Sequence, residues 1–454
     1  MSTAPRSRAG RASVARWAAA CVTLGGLIYL LHGRSFDYGL FMDDYAHFRQ
    51  LRECDWSLGG LTQACRLELV GGVIELWWLP ETTLRFFRPV AFGLMKLAYT
   101  LVGWNPTAMH GVSLCWHLAA CVLLMGLLRR LGAGAWLAWA AAALFAIHPG
   151  HVATVQWIAC QTELMVTTFL LAATLCLGRF RGWPGFGTRR SAPDTGGVRW
   201  ALAAGGFFAL ALGCRENAIM FPLVIAAVEP VVWGRRSKAT VGAYGGLLLT
   251  AAAYLALRGA MLGGAGVPPR PYVIPPTDPD FVRLVVDKAL YTLLGEFVLI
   301  PSVPIGGLAY FQARPLLFYG LSLIPVVLLV VACAGARRQP LLWLGPAWLV
   351  GFMLPILPVF PSPHHLYLPG VGWAVITVVL VRGLANGWPG AVVRHRRLRL
   401  TAGVCATALA GGLFALVTYY FGLVFETGQA VEDCVVAEVA AAPSDLRDGD
   451  VLYM

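Results

Sequence analysis

The chain has 454 residues, 58% of them hydrophobic and only 13% charged, with a mean hydropathy of +0.68. Soluble domains carry about 25% charged residues, so this composition excludes an ordinary soluble enzyme and describes a polytopic membrane protein. The net charge of +12 falls in short loops between apolar runs, with no aromatic-basic surface among them; it follows membrane topology and excludes a nucleic-acid partner.

Residues 14–32 form the first apolar run, behind an Arg-rich stretch at 6–16. No small-residue cleavage site follows it, so it reads as an uncleaved first helix. Further basic clusters stand at Arg129 and Arg130, at 179–199, at 235–238, at Arg337 and Arg338, and at 394–399. If all six clusters are cytoplasmic, the chain between successive clusters crosses the membrane an even number of times. Two apolar stretches carry charges: 86–103 holds Arg88 and Lys96, and 283–300 holds Asp287, Lys288 and Glu296. A charge at mid-bilayer costs about 2.5–3.5 kcal/mol by insertion scales. Both stretches therefore read as amphipathic helices in the external interface.

The remaining runs are 14–32, 108–128, 132–148, 161–178, 199–214, 216–233, 239–262, 315–335, 341–359, 365–382 and 400–424. They predict an all-α polytopic membrane bundle of about eleven transmembrane helices in a plasma or inner membrane, with the N-terminus cytoplasmic. Residues 1–424 form one transmembrane domain with large external loops at 33–107 and 263–314, followed by an external tail at 425–454. The Pro-rich 263–282 must be irregular backbone outside the hydrocarbon. Cys54 and Cys65 share the first loop and pair if it faces an oxidising compartment.

Asp43 and Asp44 directly follow the first span. A hydroxyl acting as a nucleophile needs a base, and a carboxylate in a partly desolvated cleft supplies one. Neighbours in sequence point in different directions, so one Asp is expected to face substrate and the other to hold a neighbour or a cation; the alternative is a solvated pair at a helix end. In His148-Pro149-Gly150-His151, Pro149 suits the first position of a new helix whose free N–H groups face outward, a seat for phosphate. The two histidines are alternatively metal ligands or a helix cap. Glu163 opens the next span at membrane depth, where an ionisable group marks function or a buried network. Arg215 and Glu216 sit in a tight turn, where they either neutralise each other or free Arg215 to bind an anion. His364, His365 and Tyr367 start a later span, as substrate contacts or as an interfacial aromatic belt. The basic clusters alone place all of these on the external side.

Four ordered segments carry a family likeness: Asp43-Asp44; Phe87-Arg88-Pro89-Val90 through Trp104-Asn105-Pro106 to His110; His148-Pro149-Gly150-His151 through Trp157 to Glu163-Leu164; and Leu366-Tyr367-Leu368-Pro369-Gly370. With Arg215-Glu216, they make the chain resemble the GT-C superfamily of polytopic glycosyltransferases, in the protein O-mannosyltransferase-like branch that includes the transmembrane and tetratricopeptide repeat proteins. Most of residues 30–380 is covered, and no repeats follow. The resemblance implies a polyprenyl-phosphate sugar donor, a hexose such as mannose, a protein or glycan hydroxyl acceptor, and inverting transfer on the external face with a first-loop carboxylate as base. A phosphate leaving group needs no general acid, only positive charge or N–H donors; Arg88, Arg215, His148 and His364 are the candidates. The chain departs from the family where Gln161 and Thr162 precede Glu163, and where His364 and His365 precede Leu366, so two expected cations are replaced. A divalent ion, Mg or Mn, at Asp43 and Asp44 remains open, as do two other functions: a transporter or flippase of lipid-linked sugars, and a non-catalytic protein of the same fold.

Overall fold

A computed structural model describes residues 5–68, 83–183, 185–186, 195–233, 238–263, 273–298, 306–336, 340–386 and 396–441. The N-terminal helix α1 (Pro5–His32) leads into a connecting segment of α2 (Asp43–Glu53), α3 (Leu58–Ala64), a short hairpin of β1 (Arg66–Glu68) and β2 (Thr83–Arg85), and α4 (Pro89–Leu101). The hairpin is antiparallel, with Leu67 opposite Leu84. It and an isolated bridge between Val273 and Val359 are the departures from an all-helical chain among the described residues. The bundle follows as α5 (Pro106–Arg130), α6 (Ala135–Ala146), α7 (Val152–Gln156), α8 (Gln161–Arg181), α9 (Thr195–Leu212), α10 (Phe221–Trp233), α11 (Lys238–Leu262), α12 (Phe281–Phe297), α13 (Gly306–Gln312), α14 (Pro315–Ala336), α15 (Leu344–Met353), α16 (Tyr367–Asn386) and α17 (Arg396–Ala441).

This is a multi-pass membrane protein: among the described residues, seven helices are long and apolar enough to cross a bilayer, or eight if α6 and α7 form one span bent by 52°. The expected runs at 199–214, 216–233 and 341–359 fold as shorter apolar helices or as helices entered through 3-10 turns. The two charged stretches are α4, 13 residues, and α12, 17 residues. At 1.5 Å per residue α4 spans about 20 Å, too short for a hydrocarbon layer of about 30 Å. Its charges are used locally. Buried Lys96 donates to the carbonyl of Cys54 at 2.7 Å and to that of Leu51, closing the C-terminus of α2, where the orphan carbonyls favour a cation. A Gly103-Trp104 turn with both residues at positive φ joins α4 to α5, and Asn105 caps α5 through the Ala108 N–H.

Among the largest fully buried side chains are Phe145 from α6, Phe208 from α9, Phe221 from α10, and Trp348 and Phe352 from α15. Lipid offers apolar groups as good a home as protein does, so polar ties set the arrangement; Trp348 donates to the Leu368 carbonyl at 2.8 Å. The break between α6 and α7 shows the same logic. Pro149 ends α6, and the carbonyls it strands would be costly in hydrocarbon. His117 from α5 and His32 from α1 reach the Ala146 carbonyl, His151 reaches that of Phe145, and Thr418 from α17 reaches that of Ile147. Four side chains from three helices and the turn itself thus satisfy one helix end. The helix α17 has 46 residues, about 69 Å at the standard rise, and is tied to the segment after α1 by Tyr38 to Gly422 and by an Arg34–Glu426 ion pair of 2.8 Å.

Candidate active site

The site begins with strain. Met42 adopts φ 48°, ψ −114° immediately before α2, a conformation that costs a side-chain-bearing residue about 1–3 kcal/mol. Its neighbour Phe41 is fixed on both sides: the Trp157 indole donates to its carbonyl at 3.0 Å, and its N–H donates to Asp44 at 3.1 Å. The other oxygen of Asp44 accepts the Ala159 N–H at 2.6 Å. Asp44 is 1% exposed, and burial pushes its carboxyl well above the ordinary range, outweighing the backbone N–H groups that oppose the shift. Asp43, one position earlier, is half-buried and forms no hydrogen bond or ion pair among the described residues; burial raises its carboxyl too. Asp44 thus holds neighbouring backbone, while Asp43 is left without a partner among the described residues. His47, a turn later, packs on the Phe92 ring at 5.0 Å, and burial with the nearby Arg88 charge lowers it to about 4.

Beside this turn, Arg215 and Glu216 do not neutralise each other, one of the two alternatives above. The backbone turns at Arg215, which is extended at φ −162°, ψ 140°, and sends the two side chains apart. Arg215 pairs with Glu163 at 2.9 Å and donates to Thr162, while Glu216 pairs with Arg88 at 2.9 Å and accepts the Phe87 N–H. The segment from Phe87 to Val90 lies against the turn so closely that a Cβ at Gly213 would stand 2.3 Å from Val90 Cγ2; Val90 N–H bonds the Gly213 carbonyl. Cys160 lies within electrostatic reach of Arg215, Asp44, Glu163 and Asp43 together, so the free carboxylate and the Arg215–Glu163 pair lie near one another.

His364 joins them: its ring contacts Trp157 at 6.3 Å and lies within electrostatic reach of Arg215, Arg88 and Lys288. His365 follows, 4.4 Å from it between ring centroids. Lys288 is a residue whose part here was not read from sequence. It is buried, donates to the Ile356 carbonyl at 2.6 Å, and burial brings it down to about 7. The signal was present as a lysine inside an otherwise apolar stretch. Tyr367, His148 and His151 lie elsewhere, in the core: Tyr367 bonds His117 at 2.7 Å, and both histidines are fully buried. Cys54 and Cys65 are free thiols.

A hard divalent ion needs several oxygen ligands. Both oxygens of Asp44 are committed to N–H groups, and among the described residues Asp43 and Asp44 belong to no cluster able to ligate an ion; the cluster that does gather is His148, His151 and Glu296. The acidic pair does not fit a Mg or Mn site.

No family model matches the chain. Over 144 residues it is 31% identical to the Drosophila melanogaster protein O-mannosyl-transferase Tmtc2, a match taking in 32% of this chain and 15% of the relative's length. The motif-based resemblance to the O-mannosyltransferase-like branch is met by this relative. Among solved structures, the Archaeoglobus fulgidus oligosaccharyltransferase is similar over 89% of this chain and 56% of its own, at 13% identity and a TM-score of 0.49. ArnT from Cupriavidus metallidurans bound to undecaprenyl phosphate is similar over 91% and 76%, at 14% identity and 0.43. The S. cerevisiae protein O-mannosyltransferase Pmt1-Pmt2 complex bound to the sugar donor is similar over 55% and 33%, at 15% identity and 0.38.

Proposed function

We propose that the protein is an inverting glycosyltransferase that moves a hexose from a polyprenyl-phosphate donor to a hydroxyl acceptor, with Asp43 as the base. The observation that carries this is the division of labour at α2: Asp44 is spent on backbone N–H groups, whereas Asp43 is partly desolvated and unpartnered, with its carboxyl raised toward neutrality. A raised carboxylate takes a proton from a hydroxyl more readily at physiological pH. The acceptor oxygen loses its proton to Asp43 and attacks the anomeric carbon; the bond to the phosphate oxygen breaks, and the phosphate leaves as an anion that needs no proton. Arg88 and Arg215, oriented by Glu216 and Glu163, together with Lys288 and His364, meet the charge that develops on that phosphate.

Similarity to an O-mannosyl-transferase supports the sugar. In this reading residues 1–424 are the catalytic domain, the bent α6–α7 pair with α9, α10 and α15 brings the seven long helices to eleven crossings, the N-terminus is cytoplasmic, and Asp43 faces the external side of a plasma or inner membrane. The test is sugar release from a panel of radiolabelled polyprenyl-phosphate sugars by the purified chain in detergent, beside Asp43→Asn. Release that the variant loses, with donor binding intact, is expected. Saturable donor binding without turnover in wild type would point to a carrier of lipid-linked sugars instead.

A further inference from the structure

Away from Asp43, three ionisable side chains converge, and two of them keep polar atoms without a partner. His148 and His151 come from the turn between α6 and α7, and Glu296 from the end of α12; their ligand atoms lie within 4.8 Å of one another, and all three residues are 0% exposed. Among the described residues, His151 Nε2 and both carboxylate oxygens of Glu296 have no hydrogen-bond partner. Native structures rarely leave such buried atoms unpaired, and each one left so is costly. We propose that His148, His151 and Glu296 bind a zinc-class divalent ion that clasps α12 to the break between α6 and α7.

The donor set and its support fit that ion. Two imidazoles and one carboxylate are a zinc ligand set, with a fourth position left over. His151 donates from Nδ1 to the Phe145 carbonyl at 2.8 Å, the outer contact that fixes the tautomer and leaves the Nε2 lone pair facing inward. Gly370 keeps that nitrogen approachable, since a Cβ there would stand 2.8 Å from it. His148 accepts the Gly150 N–H at Nδ1 and donates from Nε2 to the Glu296 backbone carbonyl at 3.1 Å. Ligation through Nε2 therefore takes the other neutral tautomer, with the proton on Nδ1 and both of those hydrogen bonds given up, and the Glu296 carbonyl or a water completes the shell. Tetrahedral ligand atoms stand about 3.4 Å apart, so the cluster contracts by about an ångström and a half at most. Glu296 is the side chain to move, because its carboxylate has no partner to give up.

The site is separate from the proposed chemistry and is tested without it. The full chain in detergent, stripped with a chelator, is titrated with Zn(II) and Co(II) and read by elemental analysis and by the visible spectrum of cobalt. One ion per chain, a tetrahedral cobalt spectrum, and a melting temperature that falls on chelation and recovers with zinc are expected. Glu296→Gln, which keeps the side-chain shape, and His151→Ala lose the ion and the chelator response; Asp43→Asn keeps both. Failure to retain zinc or cobalt, equal retention in Glu296→Gln, or an ion lost in Asp43→Asn overturns the proposal. Loss of sugar transfer in Asp43→Asn with the ion retained bears on the enzyme reading alone.

Discussion

Asp43 and Asp44 are adjacent and chemically identical, yet their surroundings give them different work, and substitution separates the two. Asp43→Asn is expected to abolish transfer with an unchanged melting temperature and unchanged donor affinity. Asp44→Asn puts an amide where the Phe41 and Ala159 N–H groups need acceptors, and should cost about 1–3 kcal/mol of stability along with activity; a thermal melt in detergent checks the split. Asp43 must be ionised to act and its carboxyl is raised, so the rate should climb with pH across a range above that of an ordinary aspartate. Lys288 loses its charge as pH rises through about 7, weakening the hold on donor phosphate. The profile of kcat/KM is then bell-shaped, and Lys288→Arg, which stays charged, should remove its alkaline limb. That one Asp would be held and the other free was legible from their adjacency. Which was which was not, because the group that holds Asp44 is the Ala159 N–H, 115 positions along the chain. The same distance hid the crossed pairing of Arg215 and Glu216 with Glu163 and Arg88.

That α4 and α12 differ from the long spans was legible because charge in an apolar stretch has a known cost in hydrocarbon, and Lys96, Asp287 and Lys288 each find hydrogen-bond partners in the fold. Less legible were the short spans, since hydropathy does not register the 3-10 turns that start α10 and flank α15. The docking of α4 on the Gly213 turn gives a test at this scale. Gly213→Val drives carbon into Val90, displacing Phe87 and Arg88 from Glu216; a stability loss of about 1–3 kcal/mol from overpacking should accompany weaker donor binding. Helix α2 answers to acid. The unfolded chain protonates His47 near pH 6.5, whereas the folded one resists until about 4, so stability falls as pH drops through that window. Hydrogen exchange of the α2 amides at pH 7 and pH 5 should show faster opening at the lower value.

For the whole molecule, the basic clusters make a claim about sidedness that labelling can judge. A single reactive cysteine placed at Thr107 should be modified by an impermeant reagent from outside the cell; modification from the cytoplasmic side alone would reverse the topology. The hydrophobic periods and the Arg-rich loops made the class of the molecule readable from its first spans. The mutual placement of the segment after α1, the bundle and the long α17 was not, because it rests on contacts such as Tyr38 to Gly422 that no local pattern encodes.

The crossed ion pairs also govern the order in which the chain can be built. Arg88 and Glu163 enter the membrane region well before residues 215 and 216 are synthesised, so each spends that interval without its counter-ion. A buried charge stripped of its partner costs several kcal/mol, and both debts are settled at once when a single tight turn arrives. Assembly is therefore gated: a nascent chain arrested before Arg215 should remain loosely associated and open to membrane proteases, and one arrested just beyond Glu216 should become resistant. Reversing the order of the two residues would leave every charge present and still miss the gate.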